Sequence, residues 1–387
     1  SPERASMSPQ LNPPTNTSPD ATAGGLEASR PAAAPTRGVA RFGFSLLARL
    51  RSLLARVILM AVFSRVSPVF LTWNNLVIMT QHVAVRAVLA TGMTFVILTA
   101  GIDLSVGAIA ALSGVVAGYL LTQGLPLGGH ALFLPAAAVI AVAIATGGIV
   151  GAINGFVITL LRVPDFIVTL GMLYVARGAA LLITGGSSFI GLGGSKANGN
   201  TGFDYVGTAR WFHLPVQIFV MIVVGAIGAF TAARTIFGRH VYAVGGNMRA
   251  AIGAGIRVQR IKITVYALSG ACAGIAGVML ASELSAADPT AATNYELGAI
   301  AAVVLGGTSL FGGQGSVAGS IAGAFVIGFL NDGLVLANVS EFWQMIATGL
   351  VIVVAVGIDE FQRLGSARLS ARRRLRATVR APGGDRG

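Results

Sequence analysis

Residues 238–262, GRHVYAVGGNMRAAIGAGIRVQRIK, form the one sizeable polar, charged island in an otherwise oily chain. The island carries Arg239, Arg249, Arg257, Arg260 and Lys262, and no acidic residue occurs between Asp204 and Glu283. Long uncharged apolar runs flank it on both sides. An excess of Lys and Arg in short loops sets the orientation of a membrane protein, so the island reads as a loop on the cytoplasmic side.

Working outward, the composition agrees. The 387 residues are 54% hydrophobic and 11% charged, with a mean hydropathy of +0.78, outside the range of water-soluble domains. The net charge of +13 sits in loops and tails, where topology and anionic lipid account for it, so the bilayer is the partner it indicates and nucleic acid is not. Cys272 is the sole cysteine, which leaves no disulfide framework and no cysteine metal site. The four histidines lack ligand spacing, so no metal site is expected. Residues 1–40, rich in Pro, Ala, Ser and Thr, read as a disordered tail without a signal-peptide layout.

A bilayer core of about 30 Å needs roughly 20 apolar residues per helical pass. By that rule a first span begins near Ser52, after a basic amphipathic start. A second covers about Leu76–Leu98 and contains Arg86, which must face a cavity or another helix. The uncharged run Leu104–Leu161, divided at TQGLPLGGH, supplies the third and fourth, and the Arg162–Asp165 segment reads as a tight inner turn. A fifth covers Phe166–Ile183 with Arg177 inside it, and a sixth Leu214–Ala233. A seventh covers Ile263–Ser282. The uncharged run from Glu296 to Asp332 is broken by GGTSLFGGQGS into an eighth and a ninth, and a tenth spans Phe342–Ile358. The expectation is an all-α polytopic membrane protein of about ten transmembrane helices, some short or discontinuous, with both termini cytoplasmic. Its permease domain would cover 41–362, and 363–387 would form a basic cytoplasmic tail. Small-residue pairs such as Gly147/Gly151 and Gly270/Gly274 predict close helix packing.

Three stretches carry a family resemblance: GMTFVILTAGIDLSVGAIAALSG (92–114), GRHVYAVGGNMRAAIGAGI (238–256) and YELGAIAAVVLGGTSLFGGQGSVAGSIAG (295–323). In content, order and spacing they resemble the permease subunits of the ribose/xylose-type bacterial ATP-binding-cassette sugar importers. The resemblance implies a multi-pass subunit of the bacterial cytoplasmic membrane, a second permease copy, an extracytoplasmic sugar-binding protein and a separate ATPase. It also implies that the chain is not itself an enzyme and binds no cofactor, with ATP and Mg held by the partner. Independently, neither Lys196 nor Lys262 follows a glycine, so the chain has no phosphate-binding G-x-x-x-x-G-K-[ST] loop. The alternative is a self-contained secondary transporter or channel for a small polar solute.

From composition alone the island does no more than fix topology. The resemblance makes 235–262 the loop that couples to the ATPase, with Gly245, Gly246, Asn247, Ala250, Ala251, Gly255 and Ile256 as its candidates. A Gly245-Gly246-Asn247 turn, with Asn247 as cap, would start a short surface helix. Arg257, Arg260 and Lys262 would only hold the loop inside. The chain departs from the family at Met248-Arg249, where an acidic residue is common. Asp103 with Ser105 reads as a helix cap or a pathway residue. Asn154, Glu296, Gly306, Gly307, Thr308, Gln314 and Asn331 complete the candidate path or gate, because broken helices at membrane depth occur only against protein or a cavity.

Overall fold

The computed structural model describes residues 60–127, 130–351, 353–354 and 357. The expected tails at 1–40 and 363–387, the start of the first span and the end of the tenth lie outside them. Eleven helices follow one another: α1 Trp73–Leu98, α2 Val106–Thr122, α3 Ala136–Leu161, α4 Asp165–Thr184, the single turn α5 Tyr205–Thr208, α6 Val216–Arg234, α7 Ile236–Gly246, α8 Met248–Gly253, α9 Val258–Leu284, α10 Tyr295–Leu305 and α11 Val317–Leu336. Residues 60–66 and 341–351 are also helical. Three two-stranded ribbons, such as Leu125–Leu127 with His130–Leu132, are the only described sheet.

Six of these helices are long and apolar enough to cross a membrane: α1, α3, α4, α6, α9 and α11. Local chemistry sets their ends. Pro135, Pro164 and Pro215 stand at the N-caps of α3, α4 and α6, where the missing N–H costs nothing. Arg162 ends α3 in the left-handed conformation, which makes the expected tight turn into α4.

Helix α1 is the hub, and every residue from Ala87 to Leu98 is buried. Close packing around it depends on small residues. A Cβ on Gly147 would overlap the Gly270 carbonyl, one on Gly270 would overlap that of Gly147, and one on Gly151 would overlap that of Tyr266. The α3–α9 seam is therefore backbone against backbone, which is how small-residue spacing works where apolar lipid supplies no hydrophobic driving force.

The structure corrects the sequence reading in three places. The eighth expected pass is the 11-residue α10, a rise of about 16 Å and so about half of a bilayer core. The third begins at Val106, after an irregular, non-helical connector over residues 99–105. The island is mainly helical: Gly245 and Gly246 form the last turn of α7 rather than a free turn, and α9 already begins at Val258, inside the basic run.

Candidate functional site

The island is a helical elbow. The Thr235 hydroxyl accepts from the Gly238 N–H at 3.1 Å to start α7, and the Asn247 side chain accepts from the Ala250 N–H at 3.0 Å to start α8. Gly255, at φ 80°, closes α8 in a conformation that favours glycine. Only Ala251 of α8 is buried. Met248, Arg249, Ile252 and Gly253 all face outward, so α8 offers an open face while α7 is rooted. Asn247→Ala is expected to weaken α8 by about 1 kcal/mol. Amide hydrogen exchange over 247–254 reads this directly, and unchanged protection would show that the cap does not hold the helix.

The root of α7 is the Gly306–Ser316 break. The Tyr242 hydroxyl donates to the Gly315 carbonyl at 2.8 Å, and the Gly313 N–H donates to the Leu98 carbonyl at 2.9 Å. Gly245 lies so close to Leu98 and Gly313 that a Cβ there would overlap both, and Gly312 lies against Ala100. The break thus joins the island to the end of α1. Gly306 packs on Gly319, Gly307 takes φ 86°, and Thr308 is buried beside Ser320 at 3.5 Å. The Gln314 carbonyl accepts from the Ser309 N–H. By the charge rule this whole end is cytoplasmic.

Deeper in, the connector 99–105 leads to a buried polar centre. One Asp103 carboxylate oxygen accepts from the Ser105 N–H at 3.0 Å and the Ser105 hydroxyl at 2.6 Å. The other accepts from Ser269 at 3.0 Å. The Asn154 amide donates to Ser105 at 2.9 Å, and all four residues are buried. Asp103 therefore organises the entry to α2 from two residues before its Ser105 N-cap, and it does so inside the bundle. Ser269 lies eleven residues into α9 and Asn154 seven from the end of α3, which places the centre about 10–16 Å above the island end.

Glu296 belongs to the same neighbourhood. It lies buried in the first turn of α10, and its carboxylate and the Ala292 carbonyl fill the space where Gly107 would carry a Cβ. The N-termini of α2 and α10 thus meet within the membrane. Arg177 holds the approach to α10, donating to the Pro289 and Ala291 carbonyls at 2.6 and 2.9 Å. The Arg86 guanidinium lies over the Tyr295 ring, 5.2 Å from its centre. Both arginines face protein groups, as arginines in spans should.

Asp103, Ser105 and Asn154 therefore converge, Glu296 lies beside them at Gly107 without joining their hydrogen bonds, and Gly306, Gly307, Thr308 and Gln314 lie at the island end. Asn331 belongs to neither group, accepting from Thr348 at 3.3 Å. Sequence reasoning missed Ser269, Asp165, Tyr266 and Lys262. Lys262 is only 7% exposed and ion-paired with Asp165 at the start of α4. Tyr266 donates to Asp165 at 2.8 Å, and Thr169 to the Ile102 carbonyl at 3.2 Å. Lys262 is thus a buried structural partner and not simply a topological charge. The spacing of Lys262, Tyr266 and Ser269, i, i+4 and i+7, is a readable signal of one polar helix face.

The family model described as "Branched-chain amino acid transport system / permease component" matches residues 75–356. The ribose import permease protein of Escherichia coli K12 is 42% identical over 316 residues, covering 80% of this chain and 92% of the relative. The L-arabinose ABC transporter permease protein of Azospirillum brasilense is 37% identical, covering 92% and 96%. The xylose transport system permease protein of E. coli K12 is 35% identical, covering 84% and 95%. No solved structure matches the chain. With most of its spans and the whole buried centre inside the matched region, the chain belongs to the branched-chain amino acid transport system permease-component family.

Proposed function

We propose that this multi-pass membrane protein is the permease subunit of an ATP-binding-cassette importer that moves a monosaccharide of the pentose or hexose class by alternating access. ATP and Mg act on a separate ATPase subunit at the island end, a sugar-binding protein delivers the solute at the far end, and a second permease copy completes the passage. The observation that carries this reading is the elbow: α8 keeps an open face toward a partner, while Gly245 of α7 is fixed to the Leu98 end of the connector that leads to the short helix α2. A push on α8 reaches that connector by way of α7, whose Gly245 meets the Leu98 backbone. The relatives named as ribose, arabinose and xylose permeases supply the solute class.

The test is reconstitution in proteoliposomes with the neighbouring ATPase and binding protein. Labelled pentose or hexose is expected to accumulate only with ATP and both partners. Accumulation by the purified chain alone under an ion gradient would establish the secondary-transporter alternative and overturn this reading.

A further inference from the structure

Because α10 is only half a pass long, it covers only half of α1. Arg86 lies level with Tyr295, the first residue of α10, and Ala100 lies against Gly312, in the break that follows its last. Helix α10 therefore runs beside the 86–98 half of α1, where everything from Ala87 onward is buried. The other half is uncovered along one ridge of four-residue steps. Ile78 is 45% exposed, the His82 side chain is 62% exposed beside Glu283 at 3.7 Å, and Arg86 is half-buried. The result is an open face on α1 that ends at the Arg86–Tyr295 pair.

A cation halfway along α1 does not face lipid, since near mid-bilayer it costs several kcal/mol there. Among the described residues Arg86 has no carboxylate at ion-pair distance. Its guanidinium lies over an aromatic ring, and none of its N–H donors makes a hydrogen bond to a described residue. A planar fork of donors matches two oxygens presented side by side.

We propose that this open face lines a solute-accessible cleft and that Arg86, positioned by Tyr295, is a solute-contacting, specificity-determining residue at its floor. It recognises a small polyhydroxylated solute through a side-by-side oxygen pair, either a vicinal diol or a carboxylate. The inference rests on the importer reading for the direction of solute flow but not for the existence of the site.

The test uses the full chain in proteoliposomes and requires no ATP. Ile78→Cys places a thiol on the ridge, and its reaction with a membrane-impermeant maleimide added outside is timed alone, with D-ribose and with D-ribonate. The native Cys272 is buried, and protein lacking the Ile78→Cys change gives the background. Both solutes are expected to slow labelling. Protection by D-ribonate at lower concentration identifies the carboxylate, and equal protection identifies the diol. Arg86→Gln and Arg86→Lys should each raise the half-protecting concentration about tenfold or more while labelling without solute stays unchanged. A purely structural role predicts instead that Arg86→Lys, which keeps the charge, protects like the parent. An unreactive thiol in the Ile78→Cys protein, absence of protection by both solutes, or protection indifferent to Arg86→Gln overturns the proposal. Failure of ATP-driven uptake with this labelling pattern intact would overturn the importer reading alone.

Discussion

Gly245→Ala is expected to lower permease stability by about 3 kcal/mol and to cut uptake about tenfold or more, although it adds one methyl group. Overpacking ordinarily costs about 1–3 kcal/mol, with side chains giving way. Here the added carbon meets the Leu98 carbonyl and the Gly313 amide, both backbone, and these two groups are bonded to each other. Relief requires lifting α7 off the connector or breaking that bond. The neighbouring Gly246 is the internal control, because nothing lies within 4 Å of the space its Cβ would fill. Gly246→Ala should melt within about 0.5 kcal/mol of the parent. The two thermal midpoints in detergent decide the matter, and equal midpoints would refute the proposed seat. A larger residue at 246 then separates the two jobs of the elbow, because it would obstruct a docking partner without disturbing the root.

The second large effect is expected at the Lys262–Asp165 pair. Asp165→Ala leaves the Lys262 ammonium, 7% exposed, without its counter-charge and removes the closer acceptor of the Tyr266 hydroxyl, leaving the Ile102 carbonyl at 3.5 Å. Breaking one side of a buried pair costs about 3–5 kcal/mol, whereas replacing both sides by apolar groups of similar volume is often neutral. The double variant Asp165→Leu with Lys262→Met should therefore recover most of the loss, and the coupling energy from the double-mutant cycle measures the pair. Equal destabilisation of single and double variants would show that the position needs shape and not charge. The pair also bears on transport. The Asp165 carboxylate and the Tyr266 hydroxyl occupy the space beside Gly101, so the start of α9, fed directly by the island, is tied to the connector separately from α7. A stable double variant with slowed uptake would show that this tie transmits motion.

The polar centre shows why only part of the site is legible in the sequence. Asp103 stands out because a carboxylate between two apolar runs is rare, and Asn154 because it lies within a span. Their partners are harder to find, since Ser269 is an ordinary helix residue until Asp103 is known to face it. Lys262 is deceptive for a related reason. A lysine at the end of a basic run looks like one more topological charge, and only the approach of α4 reveals its buried partner. The expected Gly245-Gly246 turn does not form because glycine pairs read locally as flexible, whereas here Gly245 serves a contact some seventy residues away in sequence, at Gly313.

Residue type and run length determined the class of this protein: a polytopic helical membrane chain, oriented by its basic island, with an Asn-capped helix inside that island. These features are local, because hydropathy, charge and capping are properties of a few neighbouring residues. Tertiary structure decided where helices stop short and what fills the gap. The segment 285–294 has the composition of an exposed loop, and Arg177 nonetheless holds its carbonyls against the bundle. That leaves α10 at half length and uncovers the ridge above Arg86. Depth and partnership depend on how closely separate backbones approach, and in this chain glycines distant in sequence set that approach.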